Sequence, residues 1–300
     1  MTRPPLVVVV AKSSGYRRYV EVRRDSLTLQ LLAARDPTVA SLRGSHDEHE
    51  ATLERVLHTL RDLGTRMHIL SVPDQPFDTR GVDLVVTVGG DGTLLGASHH
   101  VDARTPIVGV NSAPSTSVGF FCALKGQSVR SGLQRALSGK LPFLDLTRME
   151  VRINGHVASR RVLNDALFCH ASPAATSRYL VQIGDVVEEQ KSSGFWIGPA
   201  AGSTAAQHSA GGKVLPLGSH DLQFVVREPF LFTGKLRFAH ALVPPGAHVT
   251  VFNKMREARL FLDGPHTAIN VGLGDRLRFS RSPETLRVLG LSRRRGRVVP

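Results

Sequence analysis

A single carboxylate stands among glycines directly after an apolar run. The run Val82–Val88 suits a strand buried on both faces, GGDGT follows at Gly89–Thr93, and Leu94 and Leu95 then begin a pattern that can enter a helix. A strand, a glycine turn and a helix N-terminus in this order make a site for an anion such as a phosphate. A carboxylate at position 91 would repel phosphate. We therefore expect Asp91 to hold a metal ion or to accept a proton from a nucleophilic hydroxyl. The alternative is a structural turn in which Asp91 is the helix N-cap.

Two adjacent polar residues interrupt another apolar run. Asn164 and Asp165 lie within Val162–Phe168, which otherwise has the pattern of a strand. Polar side chains in such a strand are costly unless they are paired, so we expect them to face a ligand or a strand end. A turn or bulge that satisfies these groups within the protein is the alternative.

Three further stretches carry small or hydroxyl-bearing residues. Gly109–Asn111 closes the apolar segment after the glycine turn, and Gly119–Phe121 follows a loop rich in serine and threonine. Gly202–Ala205 leads through Ser209–Gly212 in a second cluster of glycine and hydroxyl groups. This second cluster suits contacts to phosphate or ribose, because glycine lets a ligand approach the backbone closely.

Composition narrows the class of protein. Three hundred residues suit two domains or one large one, and the net charge of +13 suits either nucleic acid or a polyphosphate ligand. The sequence has no zinc-finger spacing and no basic helix with interleaved aromatic residues, so we do not expect nucleic acid as a partner. No apolar window reaches the ~18 residues of a membrane span.

Cysteine use and the N-terminus indicate the compartment. Cys122 and Cys169 lie in apolar contexts without a CxxC pair, which predicts buried thiols and no disulfide. The N-terminal MTRPPLVVVV looks like a first strand and not like a signal peptide. We therefore expect a cytoplasmic protein.

The first half of the chain alternates between strand and helix patterns. Such alternation predicts an α/β domain over residues 1–145, with an open, mostly parallel sheet that binds its ligand at the carboxyl ends of the strands. The predicted strands are Leu6–Ala11, Met67–Val72 and Pro106–Val110, and the predicted helices are His46–Leu63 and one around Leu133–Leu137, with Tyr16–Ala34 partly helical and Pro37–Ser45 a loop.

Two histidines fall at the start of the predicted helix His46–Leu63. His46 and His49 have neither the spacing nor the second ligand pair of a zinc site. We therefore expect both side chains on a solvated helix start.

From Leu146 the pattern changes to many short strands, separated by turn signals such as Asn154-Gly155 and Asp263-Gly264. This pattern predicts an all-β, sandwich-like domain over residues 146–290, followed by a basic tail over residues 291–300. The predicted strands are Arg148–Ile153, Val162–Cys169, Tyr179–Ile183, Asp221–Val226, Lys235–Leu242, His248–Asn253, Ala258–Leu262 and Asp275–Phe279.

Together these motifs resemble those of the NAD kinase family. GGDGT at Gly89–Thr93, GVN at Gly109–Asn111, LND at Leu163–Asp165 and GSTA…SAGG at Gly202–Gly212 occur in the family's order and spacing, and the resemblance covers most of the chain. GGDGT alone is shared with diacylglycerol and sphingosine kinases. The stretch Glu189–Gly194 is similar to the mitochondrial-type branch of the family.

The resemblance implies ATP-dependent phosphorylation of the 2′-hydroxyl on the adenosine ribose of NAD, with Mg²⁺ or another divalent cation. Asp91 would be the catalytic carboxylate that accepts the hydroxyl proton or positions the metal. Asn164 and Asp165 would hold the ribose hydroxyls, with Asp165 in place of the family's usual Glu. ATP and NAD(H) would be the partners of a homodimer or larger oligomer, built mainly through the β-rich half. The implied binding residues are Gly89, Gly90, Gly92, Thr93, Asn111, Asn164, Asp165, Gly202, Ser203 and Thr204, of which Ser203 and Thr204 would line the nucleotide groove.

The chain departs from the family pattern on the side that would hold nicotinamide. Ser193 stands where many bacterial members have Asp, Ala206 stands where they have Tyr, and Pro199–Gly202 replaces a Thr-Pro-Thr-Gly run. Three alternatives stand beside an NAD kinase. A diacylglycerol- or sphingosine-type lipid kinase shares GGDGT, a catalytically silent dinucleotide-binding protein fits the missing Tyr and Asp, and a nucleic-acid binder rests on the charge alone. These residues leave open NAD against NADH as acceptor and ATP against polyphosphate as donor.

Overall fold

The computed structural model describes residues 3–71, 75–230 and 236–292. Contacts divide these residues into two compact units, one drawn from Met1–Leu144 and Arg287–Leu291 and the other from Asp145–Leu286 with Ser292. We name them the N-terminal unit and the β unit. In the described ranges, no helix is both long enough and apolar enough to cross a membrane. The predicted basic tail lies outside the described residues from residue 293 onward.

Strands and helices alternate early in the chain, and strands predominate later. The strands are β1 (Leu6–Ala11), β2 (Arg66–Leu70), β3 (Leu84–Gly89), β4 (Ile107–Asn111), β5 (Cys122–Lys125), β6 (Phe143–Leu146), β7 (Met149–Ile153), β8 (His156–Val162), β9 (Ala166–His170), β10 (Ser177–Ile183), β11 (Val186–Ser192), β12 (Phe195–Pro199), β13 (Leu222–Val226), β14 (His240–Val243), β15 (His248–Asn253), β16 (Ala258–Leu262), β17 (Thr267–Val271), β18 (Arg276–Arg281) and β19 (Leu286–Leu289). The helices are α1 (Ser26–Ala33), α2 (Leu42–Asp62), α3 (Asp91–Ser98), α4 (Ser128–Leu137) and α5 (Ala206–Ser209), with a π-helix at Arg17–Val22 and 3₁₀ turns at Pro37–Val39 and Ala200–Thr204.

Helix α2 begins four residues before the predicted start at His46. The predicted loop Pro37–Ser45 contains a 3₁₀ turn that ends at Val39, and α2 runs from Leu42. Polar residues and a glycine hide this start in the sequence. The later turns of α2 bury Val56 and Leu60 completely, and tertiary packing of this kind supplies most of the stability of a helix in a protein.

The N-terminal unit is built on a seven-stranded sheet of order β2-β1-β3-β4-β19-β6, with β5 paired to β4. Strand β1 pairs in parallel with β2 and β3, and β3 pairs in parallel with β4. Apolar side chains of α2 and α4 belong to the same buried cluster as those of β1 and β3. The strand that follows β1 in the chain, β2, lies on one side of β1 in the strand order, and the strand that follows β3, β4, lies on the opposite side of β3. The carboxyl ends of β1 and β3 therefore form the crevice where open α/β sheets bind ligands. The predicted α/β class with a mostly parallel sheet is confirmed.

The β unit consists of two six-stranded sheets, of orders β11-β10-β15-β18-β7-β8 and β14-β13-β12-β9-β16-β17. One buried cluster contains side chains from both sheets. Phe168 and Phe195 stack with ring centroids 5.2 Å apart, and Tyr179 and Phe279 of the other sheet meet the Phe195 ring at steep angles. The sandwich-like, all-β class is therefore confirmed.

Several predicted strands are wrong in their bounds. The predicted strand Val162–Cys169 begins at the last residue of β8, and Leu163–Asp165 turns the chain before β9 starts at Ala166. The predicted strand Lys235–Leu242 starts within 231–235, outside the described residues, and β14 is His240–Val243. The edge strands β8 (HVASRRV) and β11 (VVEEQKS) were not predicted, because their polar, mostly exposed residues show little apolar alternation.

Candidate active site

The glycine turn joins β3 to α3 and is shaped by the side chains that pack on it. Gly90 is the N-cap residue of α3, with φ −103° and ψ −163°. The Thr93 side chain folds back so closely that a Cβ on Gly89 would overlap its hydroxyl. A Cβ on Gly90 would lie 2.6 Å from Ser117 Oγ. Gly89 is therefore required by the packing of the turn, whereas a side chain at position 90 would require the Ser117 hydroxyl to move.

Asp91 ties this turn to a second loop. Its Oδ2 accepts the N–H of Phe120 at 2.9 Å, and its Oδ1 accepts the N–H of Phe121 at 2.7 Å. The side chain is half-buried. The alternative in which Asp91 is the helix N-cap is wrong, because Gly90 holds that position and no side chain caps α3.

The predicted GVN and GFF stretches meet at the same loop. Gly119 has φ +62°, a conformation that favours glycine, and it packs directly against the Asn111 side chain. Asn111 Nδ2 donates to the carbonyl of Ser117 at 2.8 Å. The N-terminal unit therefore brings together Asn111, the Gly119 loop and the glycine turn.

The first turn of α3 offers donors to an anion. The first N–H groups of an α-helix have no partner inside it. Thr93 and Leu94 donate to the carbonyl of Gly90 at 3.1 and 3.4 Å, whereas in the described part of the chain no protein acceptor takes the N–H groups of Asp91 and Gly92. Gly92 is exposed, and a Cβ there would have no atom within 4 Å. Two donors at a helix N-terminus are thus open to an anion.

The histidines of α2 are packed, so the prediction of a solvated helix start is wrong. His49 is 1% exposed, and its Nδ1 lies 2.9 Å from Ser112 Oγ at the end of β4. Burial, and to a lesser extent the positive charge of Lys12, lowers the pKa of His49 to about 4. The ring of His49 is therefore neutral. His46 Nδ1 lies 2.7 Å from Ser14 Oγ. Both rings therefore connect α2 to the loops that follow β1 and β4, at the carboxyl edge of the sheet.

A signal for this packing is present in the sequence. His46, His49, Leu53, Val56 and Leu60 recur every three or four residues, which places them on one face of a helix. The two histidines extend the apolar stripe of α2 toward its N-terminus. A pattern of apolar residues alone does not include them.

In the β unit, one carboxylate shapes the turn between β8 and β9. Asp263 accepts the N–H groups of Leu163 at 2.8 Å, Asn164 at 2.7 Å and Asp165 at 3.1 Å. Its own N–H donates to the carbonyl of Asp165 at 2.9 Å. The turn that carries the polar pair is therefore held by the loop between β16 and β17. The sequence indicated only a turn at Asp263, because its partners lie about a hundred residues away.

Asp165 is 5% exposed and lies beside that carboxylate. Burial, and to a lesser extent the negative charge of Asp263, raises the pKa of Asp165 to about 7. Asn164 Nδ2 donates to Asp165 Oδ2 at 3.0 Å. A carboxyl group that titrates near neutral pH, paired with an amide, is suited to bind a substrate hydroxyl.

The second glycine cluster packs on the carbonyl of Asn164. A Cβ on Gly198 or on Gly202 would overlap that oxygen, and Gln207 Nε2 donates to it at 3.3 Å. Asn164, Asp165 and Gly202, which the sequence analysis assigns to one binding site, therefore lie close together in the β unit.

Ser203 and Thr204 differ in their surroundings. Ser203 is fully buried, and its Oγ donates to the carbonyl of Ala200 at 2.7 Å and accepts the N–H of Leu215 at 2.9 Å. Its hydroxyl stabilises the turn and does not line a groove. Thr204 is half-buried, so the groove-lining assignment fits Thr204 alone.

Few side chains could bind a metal ion at the glycine turn. Among the described residues, no group of three or more His, Cys, Asp or Glu side chains could hold a metal ion. Asp91 is one carboxylate, and each of its oxygens keeps acceptor capacity beyond its backbone N–H. Mg²⁺ is commonly bound through one or two carboxylates together with substrate phosphates. These residues fit a cation that arrives with a nucleotide.

Known proteins are similar to this chain in sequence and in fold. The model of the ATP-NAD kinase N-terminal domain matches residues 26–141. A probable NADH kinase of Oryza sativa subsp. japonica is 35% identical over 69% of this chain and 71% of that protein. Mitochondrial NAD kinase 2 of Rattus norvegicus is 33% identical over 51% of this chain and 38% of that protein. The structure of an NAD kinase from Archaeoglobus fulgidus in complex with ATP matches with a TM-score of 0.67 at 19% identity, over 94% of this chain and 92% of that chain.

Asp165 predicts a pH dependence of stability. Its pKa is about 7 in the folded protein against an ordinary value of 3.8, so the folded state keeps a proton that the unfolded state releases. The resulting stabilisation is present below about pH 4 and is lost as the pH rises through about 7. Asp165→Asn keeps the shape without the charge. Its free energy of unfolding, relative to that of the wild type, should rise by ~1.4 kcal/mol per pH unit between pH 5 and pH 7 and then level off.

Urea unfolding at pH 5, 6, 7 and 8 measures this difference. Asp185→Asn is the control, because Asp185 is exposed in the turn between β10 and β11, and this variant should follow the wild type at every pH. Parallel stability curves for Asp165→Asn and the wild type would contradict the raised pKa.

Proposed function

The chain belongs to the NAD kinase family, and on that premise we propose that it transfers the terminal phosphoryl group of ATP to the 2′-hydroxyl on the adenosine ribose of NAD, forming NADP. The observation that carries the proposal is the turn at Gly89–Thr93, where a carboxylate and two open N–H groups share a helix N-terminus. An anion site with a carboxylate in it suits phosphoryl transfer better than plain anion binding.

The donor phosphates bind at the first turn of α3. The N–H groups of Asp91 and Gly92 face them, and the helix dipole favours their negative charge. Gly89, Gly90 and Thr93 shape the turn so that its backbone can be approached, and Asn111 holds the adjacent loop. Mg²⁺ or another divalent cation would bind between the phosphates and the Asp91 carboxylate, where it would supply positive charge to neutralise the transferring group.

Asp91 accepts the proton of the attacking hydroxyl. Its carboxylate is held in place by the N–H groups of Phe120 and Phe121, so it needs no rearrangement to act as a base. Asn164 and Asp165 hold the ribose hydroxyls of the acceptor, with Gly202 and Thr204 beside them. The acceptor is NAD or NADH, since relatives of both names match the chain.

We also propose a cytoplasmic homodimer or larger oligomer assembled through the β unit. Val157, Val187 and Leu242 are exposed on β8, β11 and β14, which are edge strands of the two sheets. Apolar residues on exposed edges favour association. Cys122 and Cys169 are free thiols, which supports a reducing compartment.

The first test uses purified protein with ATP, Mg²⁺ and NAD, and detects NADP and ADP by mass spectrometry. The wild type should form both products. Asp91→Asn should lower turnover by ~10²–10⁴-fold, the usual contribution of a positioned general base, while ATP affinity changes little. Its matched control is Asp102→Asn, because Asp102 is also half-buried and accepts two backbone N–H groups, those of Arg104 and Thr105, at 2.8 Å.

In Asp91→Asn one backbone N–H loses its acceptor, because Phe120 and Phe121 donate to different carboxylate oxygens, whereas at Asp102 a single oxygen, Oδ1, accepts both N–H groups and an Asn can keep it. Asp91→Asn should therefore lose some stability as well as turnover, and Asp102→Asn should keep its turnover. Binding of ATP and NAD by the wild type without NADP or ADP would leave a catalytically silent protein and refute the proposed function. Phosphorylation of a diacylglycerol or a sphingoid base, and not of NAD, would favour the lipid kinase. Normal turnover in Asp91→Asn would refute its role as base.

Gly92→Ala separates phosphate binding from folding. A methyl group at this exposed position meets no protein atom within 4 Å, and alanine favours helix over glycine by up to ~1 kcal/mol, so the variant should fold at least as well as the wild type. The same methyl group would cover the open N–H groups. We expect the KM for ATP to rise by ~10-fold or more, the equivalent of about 1.4 kcal/mol.

Gly44→Ala is the matched control for this substitution. Gly44 is also exposed, lies in the first turn of α2, and has no atom within 4 Å of a Cβ. It should preserve the KM for ATP. Steady-state kinetics and thermal unfolding measure both effects, and an unchanged KM for ATP in Gly92→Ala would contradict phosphate binding at this turn.

A further inference from the structure

Two glutamines of the β unit are fully buried and bonded to each other. Gln207 and Gln223 are each 0% exposed. Gln223 Nε2 donates to Gln207 Oε1 at 3.1 Å, and Gln207 Nε2 donates to the carbonyl of Asn164 at 3.3 Å. Amide groups shielded from water destabilise the protein unless they are hydrogen-bonded, so this chain of bonds is strongly favoured over alternatives that leave its members unpaired.

The hydrogen bonds of Gln223 determine how both side-chain amides are oriented. Gln223 Oε1 accepts the N–H of Lys213 at 2.7 Å and lies 2.7 Å from His240 Nε2. The N–H of Lys213 can only donate and the carbonyl of Asn164 can only accept, so both side-chain amides must point the same way. His240 Nε2 then carries the proton that Gln223 Oε1 accepts. We name Gln207 and Gln223, in this orientation, the glutamine relay.

The second glycine motif provides the space for the glutamine relay. A Cβ on Gly212 would lie 2.6 Å from the carbonyl of Gln207 and 2.9 Å from Gln223 Nε2. Gly198 and Gly202 leave no room for a side chain beside the Asn164 carbonyl, and a Cβ on either would also crowd Gln207 Nε2. Glycine at these positions is therefore required by two glutamine side chains and one carbonyl of the protein itself.

We propose that Gln207 and Gln223 are positioning residues for the acceptor substrate. The glutamine relay holds the carbonyl of Asn164, while Asp263 holds its N–H. With both backbone groups of this residue fastened, the side chains of Asn164 and Asp165 keep one orientation toward a polyhydroxyl ligand, here the ribose of a dinucleotide. This inference rests on the proposed function, because the ribose is assigned to Asn164 and Asp165 there.

The direct test compares Gln207→Met with Gln190→Met. Methionine keeps the length of glutamine and removes its hydrogen bonds. Gln190 is the matched control: it is 1% exposed in the same unit, and its Nε2 donates to Glu188 Oε2 at 2.7 Å and to the carbonyl of Phe238 at 3.3 Å. Gln207→Met should raise the KM for NAD by ~10-fold, the equivalent of about 1.4 kcal/mol, with kcat and the KM for ATP nearly unchanged. Gln190→Met should lower stability and leave both KM values alone.

A double variant tests whether the two glutamines act as one unit. Gln223→Met should raise the KM for NAD as Gln207→Met does, and the combined variant should be little worse than either, because one broken bond already disconnects the chain. Multiplied effects in the combined variant would overturn the glutamine relay as the cause.

Gln207→Glu keeps the proposal testable if the methionine variant fails to fold. Protonated Glu has one donor and one acceptor, which the positions toward Asn164 and Gln223 require, whereas ionised Glu has no donor. The KM for NAD, divided by that of the wild type at the same pH, should be near one in acidic buffer and should rise in alkaline buffer. Taking this ratio removes the titration of Asp165 and His240, which both proteins share. A ratio independent of pH would overturn the proposal.

Amide hydrogen exchange separates this proposal from the proposed function. Exchange at residues 163–165 should speed up in Gln207→Met and remain at the wild-type rate in Gln190→Met. A wild type that forms no NADP would refute the proposed function, while faster exchange at residues 163–165 would still support the hold on the turn. An active wild type whose KM for NAD rises equally in both methionine variants would overturn the positioning role.

Discussion

Buried or half-buried backbone N–H groups need acceptors, and at two polar turns of this protein a single carboxylate supplies them. Asp91 takes the N–H groups of two consecutive residues, and Asp263 takes those of three. An unsatisfied backbone donor destabilises a fold by an amount comparable to a lost hydrogen bond, so each carboxylate fixes the path of its loop. The groups that remain, the N–H of Gly92 and the side chains of Asn164 and Asp165, are then available in a defined geometry for a ligand.

The two candidate carboxylates differ in environment, which suits different tasks. Asp91 is half-buried and its carboxylate oxygens are bonded to backbone N–H groups. Asp165 is almost fully buried next to Asp263, and its pKa is raised to about 7. Asp91 is suited to accept a proton or to contact a divalent cation, and Asp165 is suited to exchange hydrogen bonds with a neutral hydroxyl.

The local parts of this arrangement could be predicted from the sequence. The apolar run before Gly89, the glycine turn and the polar pair at Asn164 are visible within a few residues, and they give the strand, the helix start and the interrupted strand. The similarity to mitochondrial-type relatives is confirmed as well. The long-range parts could not be predicted: His49 meets a serine 63 residues away, and Asp263 meets a turn about a hundred residues away. Periodicity reports which face of an element is apolar, and it carries no information on which distant polar groups will pair.

The central claim is that the Asn164 side chain hydrogen-bonds the acceptor substrate. Calorimetric titration of Asn164→Ala with NAD and with ATP tests this claim most directly. NAD binding should weaken by ~1.5–3 kcal/mol, the range for hydrogen bonds to a bound polar ligand, with ATP binding nearly unchanged. Asn154→Ala is the control, because it removes an asparagine side chain of the same unit that is hydrogen-bonded within the protein, to Asp275 and to the N–H of Arg276. Unchanged NAD affinity in Asn164→Ala, with only a loss of thermal stability like that of Asn154→Ala, would contradict the account.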